Sequence, residues 1–145
     1  MPPFGPFHEL LGPMYYSLLK PTTVVGLRVE EKHRNRSSTP MMHGGMVATL
    51  VDTACTWAGR HSQQPVVSLV TTNLTLNLVG NASPGEWVEA RVDVLKSGRR
   101  VVFLNCTVWC GERLIAQASA QFQVMGEAPA GSPTYDPALL TADAW

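Results

Sequence analysis

The segment from His43 to Gly59 constrains the fold more than any other part of the sequence. It reads HGGMVATLVDTACTWAG, a His-Gly-Gly start followed by small and apolar residues, and Asp52 is its only formal charge. This pattern predicts a helix that is apolar nearly all round, and such a helix is expected to be buried. A buried carboxylate is costly unless another group pairs with it or its chemistry is needed. Asp52 is therefore the first candidate for a functional residue.

Composition favours a single globular domain. The chain has 145 residues, of which 45% are hydrophobic, and its net charge is zero. That size and apolar content suit one core and are unlike a disordered chain. A balanced charge gives no general basic face for nucleic acid. No apolar run is long enough to cross a bilayer, and the N-terminus lacks the regions of a signal peptide. We expect a cytoplasmic protein with no nucleic-acid or membrane partner.

The cysteines predict neither disulfides nor a metal site. Their number, three, is odd and does not make a disulfide framework. Cys106 and Cys110 are four residues apart in a strand-like run, whereas metal or redox pairs have a two-residue gap. We expect buried free thiols.

Apolar periodicity predicts strands on both sides of the helix. A first strand covers residues 23–32, and four further runs follow the helix, at 66–79, 88–94, 101–110 and 114–124. The run at 101–110 is apolar on both faces, which is typical of a central strand. A sheet with one apolar face needs a cover, and the helix is the only long apolar one available. We expect an α+β fold in which an antiparallel sheet wraps around one central helix.

Two terminal segments flank this domain, which we place at residues 23–125. The N-terminal extension, residues 1–22, is rich in Pro, Gly and aromatic residues, and a short helix is possible from Phe7 to Leu19 with a break at Gly12-Pro13. The C-terminal tail, residues 126–145, is either mobile or docked on a neighbouring subunit by Leu139, Leu140 and Trp145.

The order of elements and several motifs resemble the hot-dog-fold thioesterases, and within them the phenylacetic-acid-type (PaaI-like) acyl-CoA thioesterases. The motifs are His43-Gly44-Gly45, the run Thr49 to Ala54 with its acidic residue, Thr71 to Val79, the turn Ser97-Gly98-Arg99-Arg100, and the last strand from Leu114 to Phe122. The resemblance covers roughly residues 23–124. It implies a hot-dog fold and hydrolysis of an acyl-coenzyme A thioester to free acid and CoA, with no metal or other cofactor.

The resemblance also implies roles for individual residues. Asp52 would act as general base or nucleophile, the Gly44 N–H would polarise the thioester carbonyl, and the Thr71 hydroxyl would hold the water or the carboxylate. His43 would assist. The implied substrate-binding residues are Gly45, Thr53, Ser97, Gly98, Arg99 and Arg100. The family often has Asn six residues before the His, where this chain has Ser37; either Ser37 or Asn35 takes that role, or the contact is absent.

The residue types fit this chemistry, although each has a plainer reading. A backbone N–H at a helix start can stabilise the oxyanion of an attacked thioester, aided by the helix dipole. His43 either contacts the carbonyl or only fixes the loop, and by periodicity alone Thr71 is a strand threonine. The basic turn with Lys96, Arg99 and Arg100 suits the phosphates of CoA or merely solubilises the turn. The remaining candidates line an acyl pocket or simply pack in the core; they are Met42, Met46 and Trp57.

Spacing adds an inference about assembly. Gly44 and Asp52 are eight residues apart, which is about 12 Å along a helix. One thioester carbon cannot lie beside both in a single chain, so both can act together only if they come from different subunits related by a two-fold axis. We expect a homodimer with two shared active sites, and a dimer of dimers as the complete homotetramer.

Two other functions are compatible with this fold. A hot-dog hydratase or dehydratase would need a His paired with an acid on a differently placed loop, whereas here the acid follows His-Gly-Gly on the helix. A non-catalytic acyl-CoA-binding module would keep the fold without hydrolysis.

Overall fold

The computed structural model describes residues 5–17 and 22–132 of the chain. Two helices, one 3₁₀ turn and six strands follow each other as α1 (Pro6–Leu11), β1 (Met14–Ser17), β2 (Thr23–Arg28), the 3₁₀ turn (Glu31–His33), α2 (Gly44–His61), β3 (Val67–Leu78), β4 (Trp87–Ser97), β5 (Val101–Cys110) and β6 (Arg113–Glu127). The strands form one antiparallel sheet in the order β1-β2-β4-β5-β6-β3. The predicted antiparallel sheet around one long helix is confirmed.

The long helix α2 packs its apolar side against β2 to β6. Leu50, Val51, Ala54 and Cys55 have no exposed surface. The opposite side is only partly covered, and this side carries Gly45, Ala48, Thr49, Asp52, Thr56 and Arg60. The expectation that α2 is buried nearly all round is therefore wrong for a single protomer. The sheet wraps only one side of the helix, because it ends at the edge strand β3.

The strands β5 and β6 behave as their patterns predict. β5 lies between β4 and β6 in the interior of the sheet. On β6, the residues Ala116, Ala118, Ala120 and Phe122 face the core, and those between them are more exposed. The core thus fills the space between the concave face of the sheet and α2.

The strand β3 departs from simple alternation. Its register with β6 shifts between Ser68 and Leu69 and again between Thr71 and Asn73. A bulge bends a strand and interrupts its alternation. Along this strand, alternation predicts every second residue from Val70 to Leu78 on one face, yet Leu74 and Leu76 pack on the core while Val70 and Leu78 are each 51% exposed.

The N-terminal segment matches the prediction in part. The predicted break at Gly12-Pro13 is present, since the helix α1 ends at Leu11, but the described residues after the break form a strand rather than more helix. β1 follows and pairs with β2, turning Met14 and Tyr16 inward. The first predicted strand ends at Arg28 rather than at residue 32, and the 3₁₀ turn begins at Glu31.

Three further predictions concern the state of the cysteines, the docking of the C-terminal tail and the presence of membrane-spanning segments. Cys55, Cys106 and Cys110 are buried and unpaired, as predicted. The tail residues Leu139, Leu140 and Trp145 lie outside the described residues. Across 5–17 and 22–132, we find no helix with the length and hydropathy needed to cross a membrane.

Two phenylalanines on neighbouring strands test the assignment of the core. Phe122 on β6 has no exposed surface, whereas Phe103 on β5 is 40% exposed. Phe122→Ala should lower the free energy of unfolding by about 3–5 kcal/mol through lost burial and a cavity. Phe103→Ala should lower it by less than about 1 kcal/mol. Urea unfolding at one fixed protein concentration measures both values, and similar losses for the two variants would contradict the described packing.

Candidate active site

Asp52 meets Thr71 where α2 passes the edge strand β3. The Thr71 hydroxyl donates a hydrogen bond to Asp52 Oδ1 at 2.7 Å. The Asp52 side chain is half-buried, on the side of α2 that the sheet leaves open. Of the two contacts that the resemblance implies for the Thr71 hydroxyl, with water or with the carboxylate, the structure has the one with the carboxylate. A carboxylate held through one oxygen keeps the lone pairs of the other oxygen for a further proton donor.

The start of α2 is capped by the ring of His43. Its Nδ1 accepts the Gly45 N–H at 2.8 Å, and its carbonyl accepts the N–H groups of Met46 and Val47. A nitrogen that accepts carries no proton, so the neutral ring has its proton on Nε2. For the Gly44 N–H, no acceptor is found within the described ranges. This N–H is therefore the available donor at the positive end of the helix dipole.

Gly44 also has a packing reason to be glycine. A Cβ added there would lie 2.9 Å from Cδ1 of Leu78, at the end of β3. A side chain would have to displace Leu78 as well as crowd the N–H. Gly44 is thus beside the end of β3, whereas Asp52 is beside Thr71 near the middle of that strand.

Within one protomer the Gly44 N–H and the Asp52 carboxylate remain apart. Eight residues of α2 separate Gly44 from Asp52, which corresponds to about 12 Å along the axis. A single chain therefore holds these two candidate groups at separate places along α2.

The helix α1 supplies a contact that sequence analysis missed. His8 Nε2 lies 3.0 Å from the hydroxyl of Thr53, the buried neighbour of Asp52. Burial lowers the pKa of His8, and the negative charge of Asp52 opposes part of that shift. The neutral ring is therefore favoured. A Pro- and Gly-rich segment carries no periodic pattern that could have indicated this contact.

His33 joins the end of α1 to the start of α2. Its ring is buried, with Nδ1 accepting the Glu30 N–H at 2.9 Å and Nε2 donating to the Leu11 carbonyl at 2.7 Å. Its own carbonyl accepts the His43 N–H at 2.8 Å. The capping residue of α2 is thereby tied to α1.

A cavity of about 290 Å³ lies between the end of α1 and the first turns of α2. We call it the α1 cavity, and its walls include Leu11, His33, His43, Gly45, Met46 and Thr49. Of the side chains considered for an acyl pocket, Met42 and Trp57 are buried in the core, while Met46 both packs in the core and lines this cavity.

The basic turn between β4 and β5 is attached to the C-terminal end of α2. Ser97 Oγ is 2.6 Å from Ser62 Oγ, and Gln63 Nε2 donates to the Gly98 carbonyl at 2.8 Å. A Cβ on Gly98 would lie 2.8 Å from the Val101 carbonyl oxygen, so this tight turn requires glycine. Arg99 and Arg100 are exposed, and neither has a carboxylate within 4 Å in the part of the chain that is described.

This geometry can be compared with that of known proteins. The profile of the thioesterase superfamily matches residues 40–116, a stretch that contains the start of α2, Asp52 and Thr71. The chain belongs to the thioesterase superfamily. A Pseudomonas aeruginosa protein named as a candidate esterase is 38% identical over 121 residues, which cover 83% of this chain and 89% of that protein. Human acyl-coenzyme A thioesterase 13 is 31% identical over 114 residues, 77% of this chain and 79% of its own length.

Solved structures agree with this membership. A variant of the phenylacetic acid degradation protein PaaI from Thermus thermophilus superposes with a TM-score of 0.71 and 25% identity, over 82% of this chain and 98% of that one. The hot-dog fold and the resemblance to PaaI-like thioesterases are confirmed.

Ser37 and Asn35 are both candidates for the role of the asparagine that the family often has six residues before the His. The two residues have different environments. Ser37 is exposed, and its Oγ accepts the Thr39 N–H at 3.2 Å. Asn35 is half-buried, and its Oδ1 is buried with no hydrogen-bond partner in the described chain. Only Asn35 turns its polar side-chain atom inward.

The cap formed by His43 can be tested apart from any activity. His43→Ala should lower the free energy of unfolding by about 1 kcal/mol because the Gly45 N–H loses its acceptor. His43→Asn should recover most of that loss, since an asparagine oxygen also caps a helix. Urea unfolding of the three proteins at one concentration measures this. Equal stability of the alanine and asparagine variants would contradict a capping role.

Proposed function

We propose that the protein is an acyl-CoA thioesterase that hydrolyses an acyl-coenzyme A thioester to a free acid and CoA. The observation that carries the proposal is the Asp52 carboxylate, held at 2.7 Å by Thr71 on the open side of α2. Membership of the thioesterase superfamily supports it, as does the relationship to a protein named acyl-coenzyme A thioesterase.

The reaction requires a base or nucleophile, and Asp52 takes this role. As a base, Asp52 removes a proton from water while the water oxygen bonds to the thioester carbon. The C–S bond then breaks, and the proton passes from Asp52 to the CoA thiolate. As a nucleophile, Asp52 bonds to the same carbon and expels the thiolate, and water hydrolyses the resulting anhydride. Both routes give the same acid and CoA, and both place Thr71 where it orients the carboxylate.

The Gly44 N–H is the proposed donor to the thioester carbonyl. Negative charge grows on that oxygen as the carbon is attacked, and a donor already in place is worth roughly 3 kcal/mol. The ring of His43 keeps the Gly45 N–H occupied, which leaves the Gly44 N–H for the substrate. His43 contributes through the cap, and its Nε2–H is a second donor beside the site.

Joining the two halves of the site requires a second subunit. The edge strand β3 is 12 residues long and contains neither a charged residue nor a proline. Such an edge is suited to pairing with another strand. The neighbouring side of α2 is also left partly open. We propose that two copies pair their β3 edges antiparallel about a two-fold axis, which sets the two α2 helices side by side.

The contacts along β3 predict which residues then meet. Asp52 lies at Thr71, and Gly44 lies at Leu78. In an antiparallel pairing centred between positions 74 and 75, Thr71 of one subunit is opposite Leu78 of the other. Asp52 of one subunit would then be level with Gly44 of the other, twice in each dimer.

The same arrangement suggests where CoA binds. The basic turn at 97–100 is attached to the C-terminal end of α2, and antiparallel helices bring that end toward the start of the other α2. The exposed Arg99 and Arg100, with the turn N–H groups, are proposed to bind phosphates of CoA. Exposed apolar side chains of Leu95 and Met125 support a further contact between dimers, giving a homotetramer.

The proposal is tested by thiol release from a panel of acyl-CoAs. The panel contains phenylacetyl-, benzoyl- and short to long straight-chain acyl-CoAs, and EDTA is present because the proposed chemistry uses no metal. Asp52→Asn should reduce the rate at least about 100-fold, as expected for loss of a positioned base. Asp93→Asn, which changes an exposed aspartate on β4, is the matched control and should retain activity.

Two results would contradict the proposal. One is an active Asp52→Asn variant. The other is a parent protein that binds acyl-CoA without releasing thiol, which would indicate a binding module instead.

A further inference from the structure

The helix α1 is held against the candidate site by polar contacts and by the packing of Leu11 against the core. None of its six residues is buried. His8 contacts the Thr53 hydroxyl at 3.0 Å, the His33 ring donates to the Leu11 carbonyl at 2.7 Å, and Lys32 Nζ donates to the Gly12 carbonyl at 2.7 Å. These contacts place α1 along α2, from Thr53 back toward the first turns of the helix.

The space that α1 encloses adjoins the proposed carbonyl donor. Gly45 and His43, the two neighbours of Gly44, both line the α1 cavity, and Leu11 closes it from the side of α1. Leu11 is half-buried, and Met46 provides a second apolar wall. This space is therefore adjacent in the chain to the residue that is proposed to bind the thioester carbonyl.

We propose that the α1 cavity holds the acyl group of the substrate and that Leu11 limits its length. This inference rests on the proposed function. The cavity volume is about 290 Å³, roughly twice that of an engineered apolar cavity of about 150 Å³ that binds benzene. It accommodates one aromatic ring with a short linker or a medium straight chain, and a long fatty acyl chain exceeds it.

The charges at the cavity favour an uncharged acyl group over the phosphates of CoA. The two cations that line it are Lys32 and Arg34. Lys32 Nζ is 3.6 Å from a Glu30 carboxylate oxygen, and Arg34 forms an ion pair with Glu31. Because each cation already has a carboxylate partner, the cavity offers no unbalanced positive charge to a phosphate.

The chain provides a matched pair of leucines for the test. Leu10 and Leu11 are neighbours on α1, but Leu10 is 71% exposed and Leu11 lines the cavity. kcat/KM is measured for straight-chain acyl-CoAs of two to sixteen carbons and for phenylacetyl-CoA. Leu11→Ala should raise kcat/KM for chains longer than the parent optimum by about 10-fold relative to that optimum, since a few methylenes of pocket space are worth this much. Leu11→Phe should shift the preference toward shorter chains, and Leu10→Ala should leave the profile unchanged.

The outcomes separate this inference from the proposed function. Hydrolysis with the same chain-length profile in Leu11→Ala and Leu11→Phe as in the parent would overturn the inference alone. A uniform change at all chain lengths would also overturn it, because it would place the CoA arm rather than the acyl group in the cavity. Absence of hydrolysis by the parent would overturn the proposed function, and the inference with it. If Leu11→Ala does not fold, Leu11→Phe, which fills space instead of removing it, still decides the question.

Discussion

The hydrogen bond from Thr71 to Asp52 is the contact on which the candidate site depends. It joins the one acidic side chain of α2 to the edge strand β3 at 2.7 Å. The hydroxyl holds one carboxylate oxygen on the open side of α2 and leaves the other oxygen for a further proton donor. The contact also fixes α2 against β3. The position of the Asp52 carboxylate therefore depends on the edge strand β3 as well as on α2.

The same edge explains why one side of α2 stays partly open in a single protomer. The sheet covers α2 from β2 to β6 but stops at β3, so the side of α2 that carries Gly45, Thr49 and Asp52 stays partly open. Gly44 and Asp52 lie at different places along β3, beside Leu78 and Thr71 respectively. A symmetric pairing of two such edges would cover the open side of α2. It would also bring Asp52 of one subunit level with Gly44 of the other. Edge pairing, burial of α2 and completion of the site then have one common cause.

Sequence reasoning found those parts of the structure that depend on periodicity. The apolar run after His43 predicts α2, the two-sided apolar run predicts the interior strand β5, and the isolated charge points to Asp52. Periodicity could not reveal the register shifts in β3, which expose Val70, because a bulge depends on pairing with β6. It also missed β1, and the contact of His8 with Thr53. A four-residue strand is too short to show alternation, and a contact across 45 residues leaves no local pattern.

The measurement that tests the central claim most directly is complementation between two inactive subunits. Asp52→Asn removes the carboxylate, and Gly44→Val obstructs the carbonyl donor. If each site takes Gly44 from one subunit and Asp52 from the other, a mixed dimer of the two variants contains one complete site. Random mixing should then restore about a quarter of the parent rate of thiol release, since half of the dimers are mixed and each has one intact site of two. No restoration, in a sample where mixed dimers are demonstrated, would contradict an active site shared between subunits.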